Sequence, residues 1–248
     1  MKRFLSHIPE HSKLLLLSLM VGVLSGCAAV LLDWVIHTLK RLLSQGFHLG
    51  AYEWQYLVLP GIGMLLSLLL VRYLIKDNIG HGVTKVLLAV SRGDSKIKPH
   101  NTWSSMLTSS ITIGFGGSVG AEAPIVYTGA AIGSNVGRLF GLSYRHITLL
   151  LGCGAAGAIA GIFKAPLAGV LFTLEILLFN VSMTSLLPLL LATISATVVS
   201  YIFRGQTPVF ACSLTPFSMG NIPFYIILGI AGGLGSLYFL RTTLFLED

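Results

Sequence analysis

Gly114-Phe-Gly-Gly-Ser-Val-Gly-Ala-Glu122-Ala-Pro124-Ile-Val-Tyr-Thr-Gly129-Ala-Ala-Ile-Gly133-Ser-Asn-Val-Gly137-Arg138 sets one carboxylate, Glu122, in an apolar, glycine-rich run. Pro124 suits the first turn of a helix, where its missing N–H costs nothing. From there to Arg138 the pattern reads as helix, with Gly129, Gly133 and Gly137 on one face. Glu122 therefore falls at or just before a helix N-terminus. Unpaired N–H groups and the positive end of the helix dipole make that end an anion site, and Glu122 is the anion that fills it when nothing else does. Residues 122–138 span about 25 Å at 1.5 Å per residue, less than the roughly 30 Å of bilayer hydrocarbon. In a membrane protein, such a helix starts inside the membrane, where broken backbone must line a cavity or be packed in protein. A buried carboxylate is expected.

Composition supplies the membrane. Of 248 residues, 54% are hydrophobic and only 10% charged, with a mean hydropathy of +0.84. A soluble domain carries about 25% charged residues. The chain is read as an all-α, polytopic membrane protein of discontinuous and tilted helices. Its charge of +7 is no nucleic-acid signal, because the cations sit in short polar segments. Lys2, Arg3 and Lys13 open the chain, and Arg72, Lys76, Lys85, Arg92, Lys96 and Lys98 cluster later. Cytoplasmic flanks carry that distribution, which places the N-terminus in the cytoplasm of a multi-pass cell-membrane protein. Cys27, Cys153 and Cys212 lack metal-ligand spacing and read as small packing residues. No metal and no cofactor is implied. The first apolar run is too long for a signal peptide and lacks a small-residue cleavage pattern after it.

Residues 1–13 read as a basic cytoplasmic lead-in and 14–248 as the transmembrane domain. Apolar runs predict helices over Leu14–Val35, continuing as an amphipathic piece through Leu43, and over Leu57–Ile75. Trp54 and Tyr56 between them are placed as interface anchors. Gly80-His81-Gly82-Val83-Thr84-Lys85 opens a helix over Val83–Val90, too short to span. A charged loop, Ser91–Asn101, follows, and Trp103–Ile113 leads into the central turn. After the polar link Leu142–His146, the segment His146–Phe163 is built of small residues that permit close helix approach. Lys164-Ala165-Pro166 breaks it. Helices follow over Pro166–Phe179, Leu186–Phe203 and, past the polar loop Arg204–Asn221, Ile222–Leu240, where Gly229 and Gly233 are spaced for packing. Short segments that begin at Gly or Pro breaks mark a transporter or channel.

Three motifs resemble the CLC family of chloride channels and chloride/proton antiporters. Gly117-Ser-Val-Gly-Ala-Glu122-Ala-Pro124 resembles the family's Gly-x-x-Gly-x-Glu-Gly-Pro gate motif, and Gly133-Ser-Asn-Val-Gly137-Arg138 its Gly-Gly-Asn-Ile-Gly-Arg continuation. Gly161-Ile-Phe-Lys-Ala165-Pro166-Leu-Ala-Gly169-Val-Leu-Phe-Thr-Leu-Glu175 resembles the stretch Phe-Asn-Ala-Pro-Leu-Ala-Gly, two hydrophobic residues, Phe-x-x-Glu. Gly80-His81-Gly82-Val83 is similar to Gly-Ser-Gly-Ile-Pro, with Thr84 in place of the proline. A family subunit is two inverted halves, so the resemblance implies one inverted-repeat half of the fold plus a helix. The second half's Gly-x-Phe-x-Pro helix start and pore tyrosine are not found. The expectation is a truncated chain, or one that pairs with a second chain to supply the missing C-terminal half. A homodimer is also implied, and faces at 147–161 and 186–203 are compatible with it.

The resemblance further implies that N–H groups of Gly80, His81, Gly82, Val83, Gly120, Ala121 and Ala123 line a chloride site near mid-membrane. Rings of backbone dipoles bind a bare ion firmly enough to enter and weakly enough to leave. Glu122 is then the gate, plugging the site when ionised and swinging out when protonated. Intramembrane carboxylates are functional by default; the competing reading is a protonated structural carboxyl. His81 stands where the family has a coordinating serine. It either donates to the anion and couples occupancy to pH, or caps a helix start and faces water. Glu175 matches the first member of a family Glu-Glu pair and reads as structural. The second member, the inner proton acceptor of antiporters, corresponds to Ile176, which carries no proton. Passive anion conductance is therefore preferred, with chloride/proton exchange or a non-conducting half-subunit as alternatives. Lys164 reads as a structural cation favoured by a helix C-terminus. Arg138 and Arg145 read as interface anchors and His146 as a surface residue. A membrane-embedded enzyme is disfavoured, because Ser118, Ser134 and Ser182 lack a partner motif such as His-Glu-x-x-His.

Overall fold

The computed structural model describes residues 10–46, 55–77, 82–91, 94–176, 183–206 and 218–247. Gly80, His81, Trp54, Ser182 and Cys212, all singled out above, lie outside the described residues. The described residues form nine α-helices and no strand. These are α1 Glu10–Gly46, α2 Gln55–Leu70, α3 Gly82–Ser91, α4 Ser104–Gly114, α5 Glu122–Leu139, α6 Tyr144–Phe163, α7 Pro166–Ile176, α8 Met183–Arg204 and α9 Ile222–Glu247. Five stretches are long and apolar enough to cross a membrane: Ser12–Gln45, Val58–Ile75, Tyr144–Phe163, Ser185–Arg204 and Met219–Leu246. The chain is a multi-pass membrane protein, as its composition implied. It divides into two units, 1–209 and 210–248.

Within the first unit, α6 is the hub. Its residues 150–162 are buried without interruption, because small side chains let neighbours touch its backbone. A Cβ on Gly129 of α5 would fall on the Gly154 carbonyl oxygen, one on Gly133 on the Leu150 oxygen, and one on Gly154 on the Gly129 oxygen. The small face read from Gly129, Gly133 and Gly137 is thus the α5–α6 seam. On another side of α6, a Cβ on Gly157 would lie 3.4 Å from Gly22 Cα of α1, and one on Gly161 3.2 Å from Gly26 Cα. Dispersion across such close contacts holds helices together where lipid removes the hydrophobic drive. The larger side chains fill in around this frame. Leu14, Leu17, Val21, Leu150, Val170 and Leu189 form one core cluster among α1, α6, α7 and α8. Val86, Ile97, Val126, Tyr127 and Leu151 form another beside α3.

Several expectations are corrected. The first helix starts at Glu10 rather than at residue 14 and, as its expected continuation through Leu43 implied, runs unbroken to Gly46, about 55 Å. No proline interrupts it, and its Gly22 and Gly26 are fixed against Ala192 and Ala196 of α8. α2 ends in a π-turn, Val71–Ile75, closed by Lys76 in the left-handed region with its N–H on Val71 O. The loop before α4 is not simply a solvated charged segment. Ser95 and Ile97 are fully buried in it, and a 3-10 turn spans Pro99–Thr102. The face 147–161 is consumed inside the unit, so it offers nothing to a second copy. Cys153 is buried, but Cys27 is exposed rather than packed. In the second unit α9 is apolar, and a Cβ on its Gly229 or Gly233 meets nothing within 4 Å.

Candidate functional site

α4 ends at Gly114, and the chain turns back through Gly116 at φ +91°, a conformation that favours glycine. Gly117 N–H donates to Thr112 O at 2.9 Å, folding the turn onto the end of α4. α5 then starts at Glu122, with Ala121 before it and Pro124 in its first turn. The carboxylate folds back over the turn, and a Cβ on Gly120 would fall on Glu122 Oε2. A side chain at position 120 would take the space in which the Glu122 carboxylate lies. Glu122 itself is exposed, and no described residue pairs with it. This corrects the expected buried carboxylate: the described elements leave the Glu122 side chain open at the start of α5.

The start of α3 arrives at the same place. A Cβ on Gly82 would lie 2.6 Å from Ala123 O and 3.1 Å from Tyr127 Cβ. Gly82 is buried, while Val83, Ala121 and Ala123 are half-buried and Gly120 is exposed. Of the residues expected to line the anion site, the structure brings Gly82 of α3 against Ala123 of α5. Two short helices abut end to end where each has unpaired N–H groups.

A polar strap, residues 94–98, fixes α3 to its neighbours, and its anchors escaped the sequence reading. Ser134 Oγ donates to Ser95 O at 2.6 Å and accepts from Ile97 N at 3.1 Å. Ser95 Oγ meets Thr148 Oγ1 at 2.7 Å. Ser95 N donates to Ala89 O at 3.0 Å, and Tyr144 OH to Val90 O at 3.0 Å. Ser134, weighed above as a nucleophile without a partner, is a buried structural bridge. The signal was there in principle: a hydroxyl in the Gly133–Gly137 face is costly unless it is bonded.

At the α6–α7 break, Lys164 adopts the left-handed region at φ 54° and caps α6 through its N–H on Ala160 O. Its Nζ donates to Gly205 O at 2.7 Å and lies 5.2 Å from the Tyr201 ring centroid. Beside it Arg204 donates to Ile162 O at 2.9 Å and pairs with Asp33 Oδ2 at 3.0 Å. Desolvation and then the Arg204 charge draw the Lys164 pKa below the ordinary lysine range, against the pull of Asp33. The cation thus neutralises two helix C-termini, as a structural lysine should. Glu175 is exposed and no described residue satisfies it, contrary to its structural reading. Ile176 closes α7. Arg138 and Arg145 are exposed, and His146 Nδ1 lies 3.1 Å from Ser143 Oγ.

Gly116-Gly117-Ser118-Val119-Gly120 spells Gly-x-Ser-x-Gly, a motif expected to be absent. That pattern carries chemistry on a strand-to-helix turn. Here it joins two helices, and Ser118 is exposed and bonds to no described residue. Among the described residues no group of three or more His, Cys, Asp or Glu is placed to hold a metal.

The profile of the family described as "Voltage gated chloride channel" matches residues 62–248. A ClcB-like protein of Ralstonia nicotianae is 31% identical over 186 residues, 73% of this chain and 43% of that protein. The chloride channel protein CLC-e of Arabidopsis thaliana is 30% identical over 90% of this chain and 34% of its own length. The H(+)/Cl(-) exchange transporter ClcA of Cronobacter sakazakii is 29% identical over the whole chain and 55% of its own length. A CLC-type fluoride/proton antiporter superposes with a TM-score of 0.73 at 26% identity, over 90% of this chain and 55% of that one. A slow cyanobacterial Cl-/H+ antiporter superposes over 94% of this chain and 56% of its own with a TM-score of 0.78; at 23% identity this speaks to the fold alone. The chain belongs to the voltage gated chloride channel, or CLC, family. It spans about a third to just over half the length of these relatives.

Proposed function

We propose that this chain carries one half of an anion transporter that exchanges chloride, or a similar halide, for protons, with Glu122 as gate and outer proton acceptor. One observation carries the reading. The starts of α3 and α5 meet at Gly82 and Ala123, and the Glu122 carboxylate lies back over Gly120 at that junction. Backbone donors and a mobile carboxylate at one point are what an anion pathway with a proton-sensitive plug needs. Gly80 and His81 belong to this proposal by their place in the sequence just before Gly82.

Exchange now takes precedence over the passive conductance preferred from Ile176 alone. A relative that spans the whole chain is named an H(+)/Cl(-) exchange transporter, and a 26%-identical structure is a CLC-type fluoride/proton antiporter. Ile176 still favours the channel as a second reading, since it offers no acid at that position. The exposed Glu175 beside it is the nearest alternative. The reading places the protein in the cell membrane with its basic N-terminus in the cytoplasm. A second copy would cover the exposed apolar face of α7 and α8, with Leu167, Leu171, Ile194, Val198 and Ile202. No cofactor enters the cycle.

The test is reconstitution into vesicles under a chloride gradient with a pH electrode outside. Chloride-driven proton movement that Glu122→Gln abolishes, with anion flux retained, is the expected result. Anion flux without protons returns the protein to the channel reading. No flux at all favours a half-subunit that conducts only with its complement.

A further inference from the structure

We propose that Phe115, seated on Gly63 of α2, is a positioning residue for the Glu122 carboxylate; this rests on reading Glu122 as the gate. The turn between α4 and α5 is tied to α4 at its near end. Phe115 N–H donates to Ile111 O at 3.0 Å, Gly116 N–H to Ile113 O at 3.1 Å and Gly117 N–H to Thr112 O at 2.9 Å. Past Gly117 the chain folds on itself, with Val119 N–H on Gly117 O at 3.0 Å, and Ser118, Val119 and Gly120 are exposed. Ala121 then leads into α5. Where Gly120 and the carboxylate over it lie therefore depends on how the end of α4 is held.

α2 holds it. Pro60, Gly63 and Ser67 share one face of that helix, and they meet α4 and the turn in antiparallel order. A Cβ on Gly116 would lie 3.8 Å from Pro60 Cγ, in ordinary contact. Gly63 is buried, and a Cβ on it would lie 2.5 Å from Phe115 Cβ and 3.1 Å from Phe115 Cγ. The Phe115 side chain thus starts where a side chain at 63 would stand. One turn further along α2, Ser67 Oγ lies 3.0 Å from Thr108 O and 2.8 Å from Thr112 Oγ1, which is itself 3.2 Å from Thr108 O. Each hydroxyl has one proton, so one bonds the carbonyl while the other donates across. Thr112 also receives the Gly117 N–H, which makes the Ser67 contact a tie to the turn. From α1, Leu39 closes over Gly114, where a Cβ would lie 2.7 Å from Leu39 Cβ.

α2 packs on the first unit mainly through α4, while its Val58, Ile62, Met64 and Leu65 are exposed. The seat is therefore where α2 acts on the site. Phe115 carries no polar or titratable group, so it neither binds the anion nor moves a proton; its part is to fix the turn. Without the ring the turn spreads over several shapes. The folded-back carboxylate, which needs Gly120 in one place, loses by this, and the swung-out one does not. Coupling between touching residues is enough to shift such a balance about twofold or more.

Anion flux from vesicles holding the full chain at neutral pH reads the effect. Phe115→Ala should raise flux about twofold or more, and Phe115→Leu, which keeps bulk over Gly63, should stay near wild type. In a Glu122→Gln background Phe115→Ala should change nothing, because no carboxylate is left to position. Gly63→Ala, which pushes on Phe115 Cβ, should act like Phe115→Ala, and adding it to Phe115→Gly should have no further effect. No rise in the wild-type background, or an equal change in both backgrounds, overturns the assignment. Hydrogen exchange of residues 116–121 in lipid nanodiscs reads the seat without transport. It should quicken about twofold or more in Phe115→Ala and stay as wild type in Phe115→Leu. Unchanged exchange in Phe115→Ala overturns the seat whatever the flux. Exchange that follows Phe115 in a protein that moves no anion, or whose flux ignores Glu122→Gln, keeps the seat and rejects the gate reading.

Discussion

Glu122 and Gly120 act as one unit, because the carboxylate occupies the volume a side chain at 120 would fill. Gly120→Ala must displace Oε2 from the turn. Oε2 is the free end of an exposed side chain, so it yields at little cost to the fold, and the balance between the folded-back and swung-out carboxylate should move outward. Anion flux at neutral pH should rise toward that of Glu122→Gln and lose its acid activation. A Gly120→Ala protein whose flux and pH profile match wild type would remove Glu122 from the gate. Lys164 makes a second residue-scale case. Its left-handed backbone costs about 1 kcal/mol that glycine avoids, while its Nζ bond to Gly205 O is worth about as much. Lys164→Gly should melt close to wild type, and Lys164→Leu, which keeps the strain and loses the bond, about 1 kcal/mol lower. Equal destabilisation by both would mean that the αL backbone at 164 carries no strain.

Between α5 and α6 the carbonyls of Leu150 and Gly154 occupy the volumes that Cβ atoms on Gly133 and Gly129 would need. A backbone carbonyl cannot rotate away as a side chain can. Gly133→Leu should therefore cost about 3 kcal/mol or more and collapse the monodisperse peak in detergent size exclusion, whereas Gly141→Leu, whose Cβ meets nothing within 4 Å but whose φ is +66°, tests strain alone. This seam was legible beforehand, since Gly129, Gly133 and Gly137 recur at helical spacing and nothing but close packing explains them. So were the breaks at Gly116 and Lys164-Ala165-Pro166. The strap was not. Lys96 and Lys98 make residues 94–98 look solvated, and the groups that bury Ser95 and Ile97, Ser134 and Thr148 by hydrogen bonds and Val126 and Leu151 by apolar packing, lie far along the chain. The exposure of Glu122 was equally out of reach, because it depends on which elements do not cover the α5 start. Ser134→Ala, which orphans the Ile97 N–H and the Ser95 carbonyl, should cost about 1–3 kcal/mol by denaturant titration.

Taken whole, the chain presents apolar side chains on surfaces that in water would be polar. Along α1, Leu17, Val21, Leu32 and Ile36 are buried, yet Leu24, Leu31 and Trp34 on the opposite side are exposed. A helix apolar all round belongs in a core or a membrane. Cys27 lies on that exposed face between Leu24 and Leu31, near the middle of the Ser12–Gln45 span. It therefore reports the medium that α1 meets. A nitroxide attached at Cys27, in a Cys212→Ser background with Cys153 buried, should collide with oxygen far more often than with a charged nickel chelate, because oxygen concentrates in hydrocarbon and the chelate is excluded. The contrast should be largest at this depth and should shrink for labels moved to residues 13 or 44, near the ends of the same helix. Chelate collisions at Cys27 that match oxygen would put α1 against water and refute the membrane placement. Low collisions with both would mean that another helix, from a second copy or from a completing half, lies over this face, and the outward side of α1 would then be an interface rather than a lipid boundary.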